Sequence, residues 1–198
     1  MGLIDNPKGM LDVLGGVLRA ADQYAILFTA AHAPLEAAVF EAANQDDSPT
    51  AHDAIDSEDV SVPYLWLFPK CSLIVHHEGS GTTAAALHSG VPQVICPFVL
   101  DQFYWAERMA WIGVAREPLR RDYLVPPANS EIYTAVTKLL HAINEALSPR
   151  IQACAADLGE KLRNEVRPDI LHFAPLVSIV FMHVVHVVNA KNVLCRMV

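Results

Sequence analysis

Positive charge is scarce in this 198-residue chain: 14 Lys and Arg stand against 22 Asp and Glu, a formal net charge of −8. Nucleic-acid backbones are held by clustered Lys and Arg, so the charge balance argues against a nucleic-acid partner. Cysteine is sparse too. Cys71, Cys96, Cys154 and Cys195 are widely spaced and form no CxxC pair. The ordinary reading is buried thiols in a reducing compartment. The opening MGLIDNPKGM lacks the basic flank and apolar core of a signal peptide, and Asn6 stands where a myristoylated terminus carries Ser or Thr. A cytoplasmic location is expected. At 53% hydrophobic and 18% charged, the chain has the makings of one good core rather than of a disordered segment.

Apolar residues recur at helical spacing through Met10, Leu11, Leu14, Val17 and Leu18, and YAILFT then reads as a short buried strand. From Asn44 to Asp59 the chain places six carboxylates and no Lys or Arg, a solvated loop without the ligand spacing of a metal site. Beyond it, SLIV and QVIC read as strands, and TTAAALHS reads as a helix stopped by Gly90. QFYWAERMAWI forms a helix ended by Gly113, and a long amphipathic helix opens at Asn129 or Ser130. Strands and helices alternating over short connections predict an α/β fold with a parallel sheet. The tail is different: from Ile170 to Val188 there are 19 residues without an acidic, Lys or Arg side chain. That length makes a membrane span one reading. Three histidines and a proline within it favour a buried or frayed tail, and the HVVH pair alone is weak evidence for a metal.

The stretch IVHHEGSGTTAAALHSGVP, residues 74–92, concentrates polar and flexible residues between a strand and a helix. In open α/β sheets, ligands sit beyond the carboxyl ends of the strands. Gly79 and Gly81 allow backbone to approach a ligand, and the amides of Ser80, Gly81, Thr82 and Thr83 present the positive end of a helix dipole. His76 can add a hydrogen bond to a phosphate oxygen. With no Lys and no GxGxxG spacing, neither a Walker loop nor the dinucleotide fingerprint is present. A helix that merely caps itself is the competing reading. In PFVLDQFYW, Asp101 and Gln102 leave the same sheet edge with acceptors and donors suited to vicinal sugar hydroxyls, although Asp101 can also serve as a helix cap.

Together, VPYLWLFPKCSLIVHHEGSGTTAAALHSGVPQVICPFVLDQFYWAERMAWIGVA resembles the donor-binding region of family-one UDP-glycosyltransferases, of the sterol glucosyltransferase and macrolide glycosyltransferase type. The likeness is strong over about residues 60–126 and looser over 1–165. It implies a Rossmann-like domain at residues 1–168, the C-terminal half of a GT-B enzyme, followed by an apolar tail at 169–198 that has no family counterpart. The expected activity is transfer of a sugar from a UDP-sugar to a sterol or another lipid-like or small hydroxylated acceptor. The UDP-sugar is then a co-substrate, and neither cofactor nor metal is required. The alternative is a non-catalytic nucleotide-sugar-binding remnant. By resemblance His76, Ser80, Gly81, Thr82 and Thr83 hold the donor diphosphate, Asp101 and Gln102 the sugar, and Ser61, Val62 and Pro63 the uracil. Trp66 is expected in the core rather than in a stacking platform. No catalytic base is expected here, since the family places it in the acceptor-binding half. The family's first strand also has no match, and it would be central in the sheet. Membrane contact through the tail stays open. Two departures stand out: Glu78 and Leu100 occupy positions where the family usually has Gly.

Overall fold

The structure, a computed structural model, describes residues 4–21, 24–28, 32–45, 63–165 and 184–188. Four strands, β1 (Tyr24–Phe28), β2 (Leu73–His76), β3 (Gln93–Ile95) and β4 (Val184–Val188), form one sheet in the order β1-β4-β2-β3. β2 and β3 are parallel, while β4 is antiparallel to both β1 and β2. β1, β2 and β3 therefore run in one direction, as the alternating pattern predicts, with β4 set against them.

The place of β4 is the main departure from the sequence reading. The position between β1 and β2 is not left unpaired. A piece of the apolar tail fills it, with Val185 paired to Leu27 on one side and to Val75 on the other. Central strands gain ladder hydrogen bonds along both edges. The rest of the tail, and with it the membrane-span reading, lies outside the described residues. Among the described residues no helix is long and apolar enough to cross a membrane.

Helices cover both faces of the sheet. α1 (Pro7–Ala21) begins where the Asn6 side chain accepts a hydrogen bond from the Gly9 amide at 3.0 Å, with Pro7 preset for the first helical position. It buries Met10, Val13, Leu14 and Val17 on one stripe. α6 (Ile132–Ala146) turns Ala135, Leu139, Ala142 and Ile143 into the same cluster, which Leu73 and Val75 reach from the sheet. Ile74, between them in sequence, enters a second cluster with Phe68, Ala85 and Ala86 on the opposite face. β2 is thus buried on both sides, as strands of helix-wrapped sheets are.

α2 (Ala33–Gln45) packs beside α1, and the short α3 (Tyr64–Leu67) leads towards β2. α4 (Ser80–Ser89) ends at Gly90 with φ 74°, a left-handed stop that favours glycine. α7 (Pro149–Glu165) lies directly against it: a Cβ on Gly159 would stand 2.5 Å from the Cα of Gly90. α5 (Gln102–Trp111) is followed by Gly113 at φ 85°.

Candidate functional site

β2 and β3 are parallel neighbours, so the loops after them, residues 77–79 and 96–101, leave the same edge of the sheet. α4 starts at this edge. Gly79 occupies its N-cap with no side chain capping it, and the Gly79 carbonyl accepts the Thr83 amide at 2.9 Å. Amides ahead of that first helical bond have no intrahelical acceptor and carry the positive end of the dipole. Ser80 is exposed and Gly81 half-buried at this end. Thr82 and Thr83 are buried, and the Thr83 hydroxyl donates to the Gly79 carbonyl at 2.9 Å, so its hydrogen is committed inside the helix.

The two histidines part company. His76 is fully buried, its Nε2 2.8 Å from Gln93 Oε1 on the neighbouring strand and its Nδ1 accepting the Glu78 amide at 3.2 Å. Those partners fix the tautomer with the proton on Nε2, donated to Gln93. Burial pushes its pKa down to about 4, against the upward pull of the Gln93 hydrogen bond and helped by the neighbouring His77. This ring fastens β2 to β3. His77, one residue nearer the helix, is 4% exposed, and neither ring nitrogen has a hydrogen-bond partner. Its Nε2 would lie 3.2 Å from a Cβ placed on Gly79, so the ring stands against the N-cap of α4. Burial holds His77 neutral as well, with a pKa of about 4. A neutral imidazole still offers one N–H.

Glu78 adopts φ 71° with its side chain turned into the protein, and neither carboxyl oxygen has a hydrogen-bond partner. His76 Nδ1 lies 4.0 Å from Oε2 but carries no proton in the tautomer above, so the pair is no salt bridge. Burial raises the carboxyl pKa to about 7, with the nearby Thr83 hydroxyl a lesser opposing influence. Leu100, at 56°, is the other non-glycine residue at positive φ among the described residues, and is 87% exposed. The two positions where glycine is usual in the resembled family are therefore the two where, among the described residues, the backbone is left-handed without glycine, at about 1–2 kcal/mol each.

Along the β3 loop, Asp101 is exposed at the N-cap of α5, yet its side chain makes no capping bond. Gln102 is buried, and its Oε1 accepts the amides of Phe98 at 2.8 Å and Val99 at 3.0 Å. Gln102 shapes the loop, and Asp101 is the member of the pair that remains open to solvent. Pro63 is exposed at the start of α3, while Ser61 and Val62 lie outside the described residues. Trp66 is not a core residue: it is half exposed, with the Lys70 ammonium 4.4 Å from its ring centroid. Cys71, Cys96 and Cys154 are in no disulfide, and among the described residues no trio of His, Cys, Asp or Glu is grouped to hold a metal.

His77 was not singled out by sequence reasoning. Its only signal was the histidine doublet at the end of a strand, which does not say which ring turns outward.

The sequence is similar to those of known glycosyltransferases. The chain is 37% identical over 105 residues to the sterol 3-beta-glucosyltransferase UGT80A2 of Arabidopsis thaliana, a match covering 53% of this chain and 15% of that enzyme. It is 46% identical over 105 residues to the O-mycaminosyltylonolide 6-deoxyallosyltransferase of Streptomyces fradiae, covering 53% of this chain and 23% of that one. Among solved structures, the spinosyn rhamnosyltransferase SpnG complexed with thymidine diphosphate aligns with 81% of this chain and 42% of that chain, at a TM-score of 0.41 and 21% identity. Residues 36–165, more than half of the chain, match the family described as erythromycin biosynthesis protein CIII-like, C-terminal domain, and the chain belongs to that family.

Proposed function

We propose that the start of α4 binds the diphosphate of a UDP-sugar and that this chain is the donor-binding portion of a UDP-dependent glycosyltransferase acting on a sterol or another lipid-like hydroxylated acceptor. The observation that carries the reading is His77, buried and without a hydrogen-bond partner, against a helix start that no side chain caps. Buried polar groups are ordinarily satisfied, and one left open beside the start of a helix fits an anion. The relatives' names supply the reaction class, although the matched stretches cover only a minor part of their lengths.

In such a transfer the acceptor oxygen attacks the anomeric carbon, the bond from that carbon to the diphosphate oxygen breaks, and UDP departs with the electron pair. The acceptor proton passes to a base that we do not assign within this chain. What these residues contribute is stabilisation of the departing diphosphate by fixed dipoles and an imidazole N–H, without a cation. Asp101, exposed on the same edge, is suited to accept hydrogen bonds from sugar hydroxyls.

Calorimetric titration with UDP, with UMP as a control lacking the second phosphate, tests this. UDP is expected to bind more tightly than UMP, and His77→Ala to weaken UDP by about tenfold or more, the value of a hydrogen bond to a charged group. Equal UDP affinity in wild type and His77→Ala would overturn the assignment.

A further inference from the structure

A carboxyl group directly precedes the helix start proposed above for the diphosphate, and among the described residues no Lys or Arg is paired with it. Glu78 lies between His77 and Gly79, its side chain is almost wholly buried, and both oxygens lack hydrogen-bond partners. The groups around it are polar without carrying positive charge. His76 presents an unprotonated Nδ1, His77 is neutral, the Thr83 hydroxyl is donated to Gly79, and Gln93 on β3 is engaged with His76. Asp101, the α5 N-cap on the loop after β3, is acidic as well. Nothing among these residues can neutralise an ionised Glu78.

We infer that Glu78 is a positioning residue of the anion site which must be uncharged when a nucleoside diphosphate is bound, so that binding draws in a proton at this residue. The inference rests on the donor-binding reading above. Three features converge on it: the carboxyl is sequestered from water, it has no counter-ion among the described residues, and it directly precedes the N-cap of the helix proposed to receive the phosphates. A carboxylate roughly 6 Å from a phosphate would weaken binding on the order of a hundredfold at an effective dielectric near 20. Taking up a proton removes that repulsion. Because burial already lifts the Glu78 pKa to about 7 in the unliganded protein, the proton is available near neutrality and the coupling falls between about pH 7 and 9.

The test is calorimetric titration of the full chain with UDP at pH 6, 7 and 8, in two buffers of different ionisation enthalpy, for wild type and Glu78→Gln. Wild type should take up close to one proton per UDP at pH 8 and lose about fivefold in affinity between pH 7 and 8. Glu78→Gln keeps the side-chain shape and shares the titration of UDP itself, so it should show neither effect and should bind more tightly than wild type at pH 8. The proton count is read on wild type alone and does not depend on the variant folding. UDP binding by wild type at pH 8 without proton uptake would overturn the inference and leave the donor site standing. Absence of UDP binding by wild type at pH 6, where Glu78 is neutral, would overturn the donor reading itself and this inference with it.

Discussion

Replacing Glu78 by glycine should stabilise this protein, and by an amount that grows with pH. Two costs are removed. The left-handed backbone at φ 71° costs a residue with a Cβ about 1–2 kcal/mol and costs glycine little. Glycine gives back roughly 0.5–1 kcal/mol through its greater freedom in the unfolded chain, so the net backbone gain is about 0.5–1 kcal/mol. The carboxyl supplies the rest. Its pKa is near 4.5 when exposed and about 7 in the fold, a difference worth about 3 kcal/mol. The folded state holds the proton more tightly than the unfolded state. The group therefore costs nothing well below pH 4.5, and the penalty builds between about pH 4.5 and 7 and is complete above that. Glu78→Gly should thus exceed wild type by about 1 kcal/mol at pH 5 and by at least about 3 kcal/mol at pH 8, the latter roughly 6–12 °C in melting temperature for a domain of this size. Glu78→Gln should reproduce the pH-dependent part alone. Denaturant titrations at pH 5, 6, 7 and 8 measure both. A gap between wild type and Glu78→Gly that is the same at pH 5 and pH 8 would refute the reasoning, since it would mean that the carboxyl is solvated in the fold.

Other perturbations separate framework from site. Gln102→Ala removes the acceptor shared by the Phe98 and Val99 amides and should destabilise by about 2–3 kcal/mol, whereas Asp101→Ala, at an exposed side chain that makes no capping bond, should stay within about 0.5 kcal/mol in the same denaturation assay. Val185→Pro takes a donor from the strand that joins β1 to β2 and should cost at least about 3 kcal/mol, seen as a lower or broadened thermal transition; an unchanged melt would mean that β4 does not sit in the sheet. Gly159→Ala drives a methyl into the Gly90 backbone and should cost about 1–3 kcal/mol, with the loss reported by the same melts.

The strand–loop–helix units from Leu73 to Trp111 were legible because short apolar runs, glycine stops and helix-length spacings all agree there. Gly90 and Gly113, read as helix stops, are the two glycines at positive φ among the described residues. The glycine preference at positions 78 and 100 likewise marked a backbone requirement, which Glu78 and Leu100 meet under strain. β4 was not legible. Its place is set by pairing with strands more than 100 residues away, and an uncharged 19-residue run without clear alternation gives no sign of that. Nor could the histidine doublet be resolved from the sequence. β2 is buried on both faces, so alternation carries no inside–outside signal, and only the hydrogen bond to Gln93 shows that His76 is held within the sheet while His77 is left without a partner. The burial of Glu78 ran against its charge, and no pattern of residue types announces a carboxyl that gives up its ionisation.

Backbone amide spectra of isotopically labelled protein, recorded during titration with UDP at pH 6, test the central claim most directly. If the start of α4 holds the diphosphate, the largest shifts fall on Gly79, Ser80 and Gly81, with His77 moving alongside them and residues of α6 and α7 unmoved. Shifts confined to another part of the sheet edge, or no shift at millimolar UDP, would contradict the account.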